Sequence, residues 1–247
     1  MNVNTQTRIA IVTGASRGIG AAVARRLARD GFTVVVNYAG GAQAAENVVG
    51  DIEEAGGKAI TAQADVSKAA DVRRMFDTTE EVYGGVDVLV NNAGVMALST
   101  VADLKDEDFD RLFDVNVKGS YNTMREAAKR LRSGGRIVNF SSSVVGLLQP
   151  TYAPYAATKA AIEATTMILA RELRGRGITV NAIAPGPTAT DLFLDGKSAE
   201  LIDRLAKLAP LERLGTPDDI AAAVAFLAGP DGAWINGQVL RANGGIV

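Results

Sequence analysis

The β-branched run Ile9–Val12 passes directly into TGASRGIG, Thr13 to Gly20, and an amphipathic stretch follows as far as Arg29. That order, strand then glycine turn then helix, leaves few folds open. A strand that continues into a helix returns as a parallel neighbour, and a parallel sheet needs helices over both faces. Gly14, Gly18 and Gly20 allow a tight turn and let backbone N–H groups at the helix start approach an anion closely. Glycine turns are common and say little alone; here the flanking strand and helix are those a dinucleotide turn requires.

The alternation continues along the chain. A strand at 33–37 precedes a helix over 42–55, and AITAQAD carries a third strand to its end near Asp65. A helix over 69–83 leads to VDVLVNNAG at 86–94. Long helical stretches at 107–131 and 153–174 precede GRIVNFSS and ITVNAIAPG, and a helix over 217–228 precedes GQVLRA. The spacing predicts about seven parallel strands with helices on both faces, a single doubly wound α/β domain over residues 1–247. Only 192–216 breaks the rhythm, as an apolar and charged insertion of the size expected of a lid.

Tyr155 and Lys159 stand four apart in YAATK, so they share one helical face, and Ser142 lies thirteen residues before the tyrosine. No other tyrosine has a lysine four residues on. An ammonium beside a phenol favours the phenolate, and a phenol so adjusted can exchange a proton nearer neutral pH. With a dinucleotide turn in the same chain, the constellation points to hydride transfer with Tyr155 as general acid/base. The chain has no histidine and no cysteine, so imidazole bases, thiol nucleophiles and the usual zinc ligands are absent, and no metal site is expected. A net charge of −2 with scattered Lys and Arg offers no field for nucleic acid. The start, MNVNTQTR, lacks the pattern of a signal peptide, and no apolar run reaches the roughly 18 residues of a membrane span; a cytoplasmic protein is expected.

The end of the second strand bears on which dinucleotide is held. An acid there would grip the adenosine ribose diol and select NAD(H). This chain reads Asn37, Tyr38, Ala39, Gly40, Gly41, with no acid until Glu46. Arg17 in the glycine turn can supply a cation, and Asn37 with the following backbone can donate hydrogen bonds, to a 2′-phosphate. NADP(H) is therefore expected over NAD(H). Asp65 and Val66 fall where the adenine should rest.

These motifs, TGASRGIG, the Asp65-Val66 pair, NNAG at Asn91 to Gly94, Asn116 in VNV, Ser141 to Ser143, YAATK and PGPTAT at Pro185 to Thr190, occur in the order and spacing of the short-chain dehydrogenase/reductase family, which the chain resembles over nearly its whole length. The resemblance implies a Rossmann fold and a catalytic tetrad of Asn116, Ser142, Tyr155 and Lys159. It places nucleotide contacts on Gly14, Ser16, Arg17, Gly18 and Ile19, on Asp65 and Val66, and on Asn92, Ala93 and Gly94. Further contacts fall on Tyr155, Lys159, Pro185, Gly186, Thr188 and Thr190. By the same likeness Lys159 holds the nicotinamide ribose and Asn116 a proton-relaying water. Ser143, twelve before the tyrosine, is left to pack or cap. Many relatives carry Asp-Gly-Gly where this chain has Asn243, Gly244 and Gly245, so the final turn is expected to differ.

Met96, Val144, Leu147, Leu148, Tyr152, Pro187, Leu192 and Phe193 are the expected pocket, mostly apolar and without a fixed cation. A neutral ketone or its secondary alcohol fits such a pocket. Reduction of a 3-oxoacyl group on a carrier protein is the alternative, with polyol or sugar oxidation and a non-catalytic nucleotide sensor behind it. The small and apolar residues of the two long helices exceed what one sheet face uses, and relatives assemble through the corresponding helices, so a homotetramer is expected.

Overall fold

The computed structural model describes residues 7–247; positions 1–6 of the polar start lie outside the described residues. Seven strands, β1 (Ile9–Val12), β2 (Thr33–Tyr38), β3 (Lys58–Gln63), β4 (Val86–Asn91), β5 (Leu131–Phe140), β6 (Thr179–Pro185) and β7 (Val239–Ala242), form one sheet. Every pairing is parallel and the order is β3-β2-β1-β4-β5-β6-β7. All residues of β1 and β4 are buried, which is why β1 reads as an unbroken apolar run and β4 as an apolar run interrupted by Asp87 and closed by Asn91. The chain runs outward from β1 to β3 and then crosses back to β4 on the other side of β1. That reversal opens a crevice above the carboxyl ends of β1 and β4, where ligands bind in sheets of this kind.

One face is covered by α1 (Gly18–Arg29), α2 (Ala42–Glu54) and, later in the chain, a helix over Pro217–Ala228. Val23, Leu27, Val48, Ile52, Ile220 and Val224 form its core against Val34 and Val36. The other face carries α3 (Ala69–Tyr83) and the two long helical stretches, whose Met124, Leu169 and Leu173 join Phe76 over Leu89, Ile137 and Val180.

Several expectations are corrected. The third strand stops at Gln63, because Asp65 turns away to accept hydrogen bonds from the Ser67 amide at 3.0 Å and the Ser67 hydroxyl at 2.7 Å. The stretch expected as one helix over 107–131 is three segments: α4 (Asp106–Leu112), a π-helical stretch Phe113–Gly119, and α5 (Ser120–Arg130), with Leu131 already in β5. π-helical insertions of this sort gather at functional sites. Here the wide turn presents Asn116 inward and sets Gly119 against Val66 so closely that a Cβ on Gly119 would lie 2.7 Å from Val66 Cγ2. A short α6 (Val144–Leu147) stands where no element was expected, and α7 covers Ala153–Glu172.

The insertion folds into α8 (Asp191–Leu194) and α9 (Ala199–Ala206), capped by Thr190 and Ser198, which accept from the Phe193 and Leu201 amides. Its neck is clipped shut: the Ala189 amide donates to the Gly215 carbonyl and the Gly215 amide to the Pro187 carbonyl, both at 2.9 Å. Thr216 then opens α10 (Pro217–Ala228) with a reciprocal cap to Asp219. No helix of the described residues is long and apolar enough to cross a membrane.

Candidate active site

The glycine turn lies at the crevice between β1 and β4. Gly14 has φ +61°, and a Cβ there would sit 2.9 Å from Ala93 Cα; one on Gly20 would sit 2.4 Å from the Gly14 carbonyl oxygen. The turn is therefore closed to larger side chains by the strand end it packs against. No side chain caps α1 and its first turn holds no acid, so its leading N–H groups remain open to an anion. Arg17 is exposed beside them. Tyr38 at the end of β2 and Ala39, Gly40 and Gly41 after it run along the same cleft, so no carboxylate faces the position of a 2′-phosphate from that loop. These features fit an adenine dinucleotide carrying that phosphate.

Two asparagines assigned to ligand contact prove to be engaged beneath the turn. Asn37 is buried; its Oδ1 accepts from the Gly14 amide at 3.2 Å, and its Nδ2 donates to the Ala62 and Ala64 carbonyls at 3.1 and 3.0 Å. Its amide is thus committed to tying β2, β3 and the turn together, which corrects the expectation that it would donate to a phosphate. Asn92 Nδ2 donates to the Thr13 and Gly14 carbonyls at 2.9 and 3.0 Å. Thr13, not singled out in the sequence, accepts from the Asn92 and Ala93 amides, both at 3.0 Å, through its hydroxyl. Ser16, Gly18, Ile19, Asp65, Val66, Ala93 and Gly94 line the same cleft.

The neighbouring cleft gathers Ser142, Tyr155 and Lys159 with Pro185, Gly186, Thr188 and Thr190. It shares Ile19, Asn92 and Gly94 with the nucleotide cleft, so the two are continuous. Lys159 is buried in α7; its Nζ donates to the Phe140 carbonyl at 2.9 Å and lies 5.6 Å from the centre of the Tyr155 ring. Burial lowers its pKa to about 8. Burial also pushes the Tyr155 phenol up to about 12, with the Ser142 hydroxyl working against that rise and Tyr152 adding to it. The expectation that Lys159 draws the phenol down is therefore corrected for the protein alone: loss of water raises the phenol, and the Lys159 ammonium points at the Phe140 carbonyl.

Asn116 stands 1% exposed in the π-helical stretch. Its Oδ1 accepts from the Val95 amide at 2.8 Å, and its Nδ2 donates to the Val95 carbonyl at 2.9 Å and to the Thr158 hydroxyl at 3.2 Å. It holds the segment after β4 against α7 as a positioning residue, with all three polar contacts made to protein. Ser143 donates to the Ala184 carbonyl at 3.2 Å and accepts from Asn243 at 3.0 Å, so it ties the end of β5 to β6 and to the final turn. The same Asn243 accepts from the Gly245 amide at 3.0 Å.

Of the expected pocket, Met96, Val144, Leu147, Tyr152, Pro187, Leu192 and Phe193 line the cleft. Leu148 does not: it is 75% exposed, turned outward by a left-handed backbone, φ 49°. Sequence reasoning missed Gln149, Leu205, Leu208 and Ile246, which complete the wall, and Arg111 and Val115 in the nucleotide cleft. Leu205 and Leu208 carried a signal, the apolar face of the inserted segment; Arg111 on an acidic helix carried none.

A family model described as enoyl-(acyl carrier protein) reductase matches residues 14–247. A short-chain type dehydrogenase/reductase of Picea abies is 48% identical, with 97% of this chain and 92% of that protein covered. An NADPH-dependent aldehyde reductase-like protein, chloroplastic, of Arabidopsis thaliana is 46% identical over 97% of this chain and 94% of its own. Among solved structures, a short chain dehydrogenase from Burkholderia cenocepacia J2315 in complex with NADP superposes with a TM-score of 0.92 at 42% identity, covering 98% of this chain and 99% of that one.

Proposed function

The chain belongs to the short-chain dehydrogenase/reductase family, and from that premise we propose that it reduces the carbonyl of a neutral, mostly apolar ketone with NADPH, Tyr155 serving as general acid. The observation that carries this reading is the continuity of the two clefts, with Ser142, Tyr155 and Lys159 on the wall beyond the nucleotide. The cofactor is NADP(H), consistent with Arg17, with the absence of an acid after β2 and with the NADP bound by the Burkholderia relative. Gly14, Ser16, Arg17, Gly18 and Ile19 would hold its phosphates, Asp65 and Val66 its adenine, and Pro185, Gly186, Thr188 and Thr190 its nicotinamide end.

Bound NADPH supplies the hydride. Ser142 donates a hydrogen bond to the substrate oxygen and sets it beside Tyr155. Burial keeps the Tyr155 phenol protonated in the protein alone, so the proton is in place before the hydride arrives. Lys159, near 8, can return a proton to the phenolate at close to neutral pH. The insertion at 192–216 acts as a lid, its Leu192, Phe193, Leu205 and Leu208 closing apolar surface over the substrate. The protein works as a cytoplasmic homotetramer.

Tyr155→Phe tests the reading. It removes only the hydroxyl, so turnover of a neutral ketone should fall by about 10³-fold, while NADPH binding, followed by fluorescence titration, stays within about threefold. Retained turnover would remove Tyr155 from the mechanism.

A further inference from the structure

We infer that the substrate carries, besides the carbonyl reduced, a second neutral oxygen a few bonds away, recognised by the Gln149 amide and the Tyr152 hydroxyl. This deepens the reductase reading and rests on it. The connection between α6 and α7 is short, and two of its residues, Leu148 at φ 49° and Thr151 at φ 71°, have left-handed backbone without being glycine. Only one other non-glycine residue among those described, Glu212, does so. Such conformations are costly and persist where the surroundings impose them, which is most often at ligand sites. The restraints are visible: the Leu148 amide donates to the Val144 carbonyl at 3.0 Å, and the Ser99 amide to the Thr151 carbonyl, also at 3.0 Å.

The outcome inverts what burial alone would select. Leucine 148 faces solvent, whereas Gln149 and Tyr152 line the cleft. Apart from Ser142 and Tyr155, which the reduction itself would use, the other polar side chains of that wall are paired within the protein. Ser141 donates to Glu163, Ser143 to the Ala184 carbonyl, Thr188 to the Gly186 carbonyl, and Asn92 to the carbonyls of Thr13 and Gly14. Gln149 and Tyr152 have no such side-chain partner among the described residues, in a wall otherwise built from Met96, Leu147, Phe193 and Leu205. A half-buried amide and phenol without partners recognise a ligand that satisfies them and reject one that does not. The recognised group is neutral, since Lys159 is the one charged side chain in this wall and already donates to Phe140. Ketones bearing a nearby hydroxyl, ether or carbonyl oxygen meet these terms, and a carboxylate does not.

The test compares 4-methoxy-2-butanone with 2-hexanone, in which a methylene replaces the ether oxygen, at saturating NADPH. The ratio of their kcat/KM values should fall about tenfold in Gln149→Leu and move the same way in Tyr152→Phe. Gln149→Glu keeps the size but has no donor at neutral pH, so it should lower the ratio as well, with a thermal midpoint near the native one. Equal loss on both ketones would overturn the inference, leaving Gln149 as a loop residue only. A ratio unmoved by all three variants, in a protein that reduces both ketones, would overturn it too while leaving the reductase reading intact. A native protein that binds NADPH and reduces neither ketone would overturn the reductase reading itself.

Discussion

Lys159 shows how far one buried side chain is displaced from its ordinary chemistry. Its pKa falls from 10.5 to about 8 because burial strips water from the ammonium. Between those two values the unfolded chain binds a proton that the native protein does not, so stability rises with pH across that window. Below about 8 the cost of the buried charge is fully present, about 3 kcal/mol for a shift of this size; above 10.5 it is gone. Tyr155 runs the other way. Raised from 10.0 to about 12, it keeps its proton in the native state after the unfolded phenol has lost it, so stability falls as pH climbs through that range. Lys159→Met should therefore raise the thermal midpoint at pH 7, with the gain fading as pH approaches 10. A midpoint in the variant that is lower than native at pH 7 would mean that the amine stabilises the fold and that its bond to the Phe140 carbonyl outweighs its desolvation.

At the scale of elements, the π-helical stretch Phe113–Gly119 does what a regular helix would not, turning Asn116 onto both the amide and the carbonyl of Val95. Asn116→Leu keeps the volume but leaves those two backbone groups without partners, which should cost about 1–3 kcal/mol of stability and weaken NADPH binding through the displaced Gly94 to Met96 segment. Calorimetry with nucleotide titration checks this; reduced turnover with native stability and binding would instead fit a water-relaying role. The stretch also shows where the sequence stopped being legible. Helices bounded by local punctuation, Gly18–Arg29, Ala69–Tyr83 and Pro217–Ala228, have in the structure the limits their glycines, polar starts and proline imply. The break at 113–119 depends on partners far along the chain, Val66 and Val95, which no local period encodes. The site divides in the same way. Ser142, Tyr155 and Lys159 announce themselves by spacing, whereas the engagement of Asn37 beneath the turn, the outward Leu148 and the inward Gln149 are set by tertiary packing.

For the molecule as a whole, several large apolar side chains stay exposed among the described residues, and two sets of them, on different elements, bear on assembly. Tyr121, Met167 and Ile168 stand 56%, 42% and 56% exposed on α5 and α7. At the far edge of the sheet, Phe226 on α10 and Leu240 on β7 are 42% and 37% exposed, and Trp234 between those elements is 96% exposed. A large indole left this open is unusual on a monomer. β7 is also an edge strand with one side unpaired, a liability that assembly removes. Two distinct self-complementary faces on one chain close into a tetramer of D2 symmetry, whereas one face closes into a dimer. Sedimentation should therefore show a tetramer, and Trp234→Arg combined with Leu240→Arg should give dimers held by the α5 and α7 face, with Ile168→Asp giving the complementary dimer. Trp234 is the single tryptophan of the chain, so its emission reports its own interface: blue-shifted in the assembled protein, and moving to that of water-exposed indole on dilution if the edge contact parts. Emission of the water-exposed kind at every concentration would place Trp234 outside any interface and leave the α5 and α7 face as the sole site of assembly.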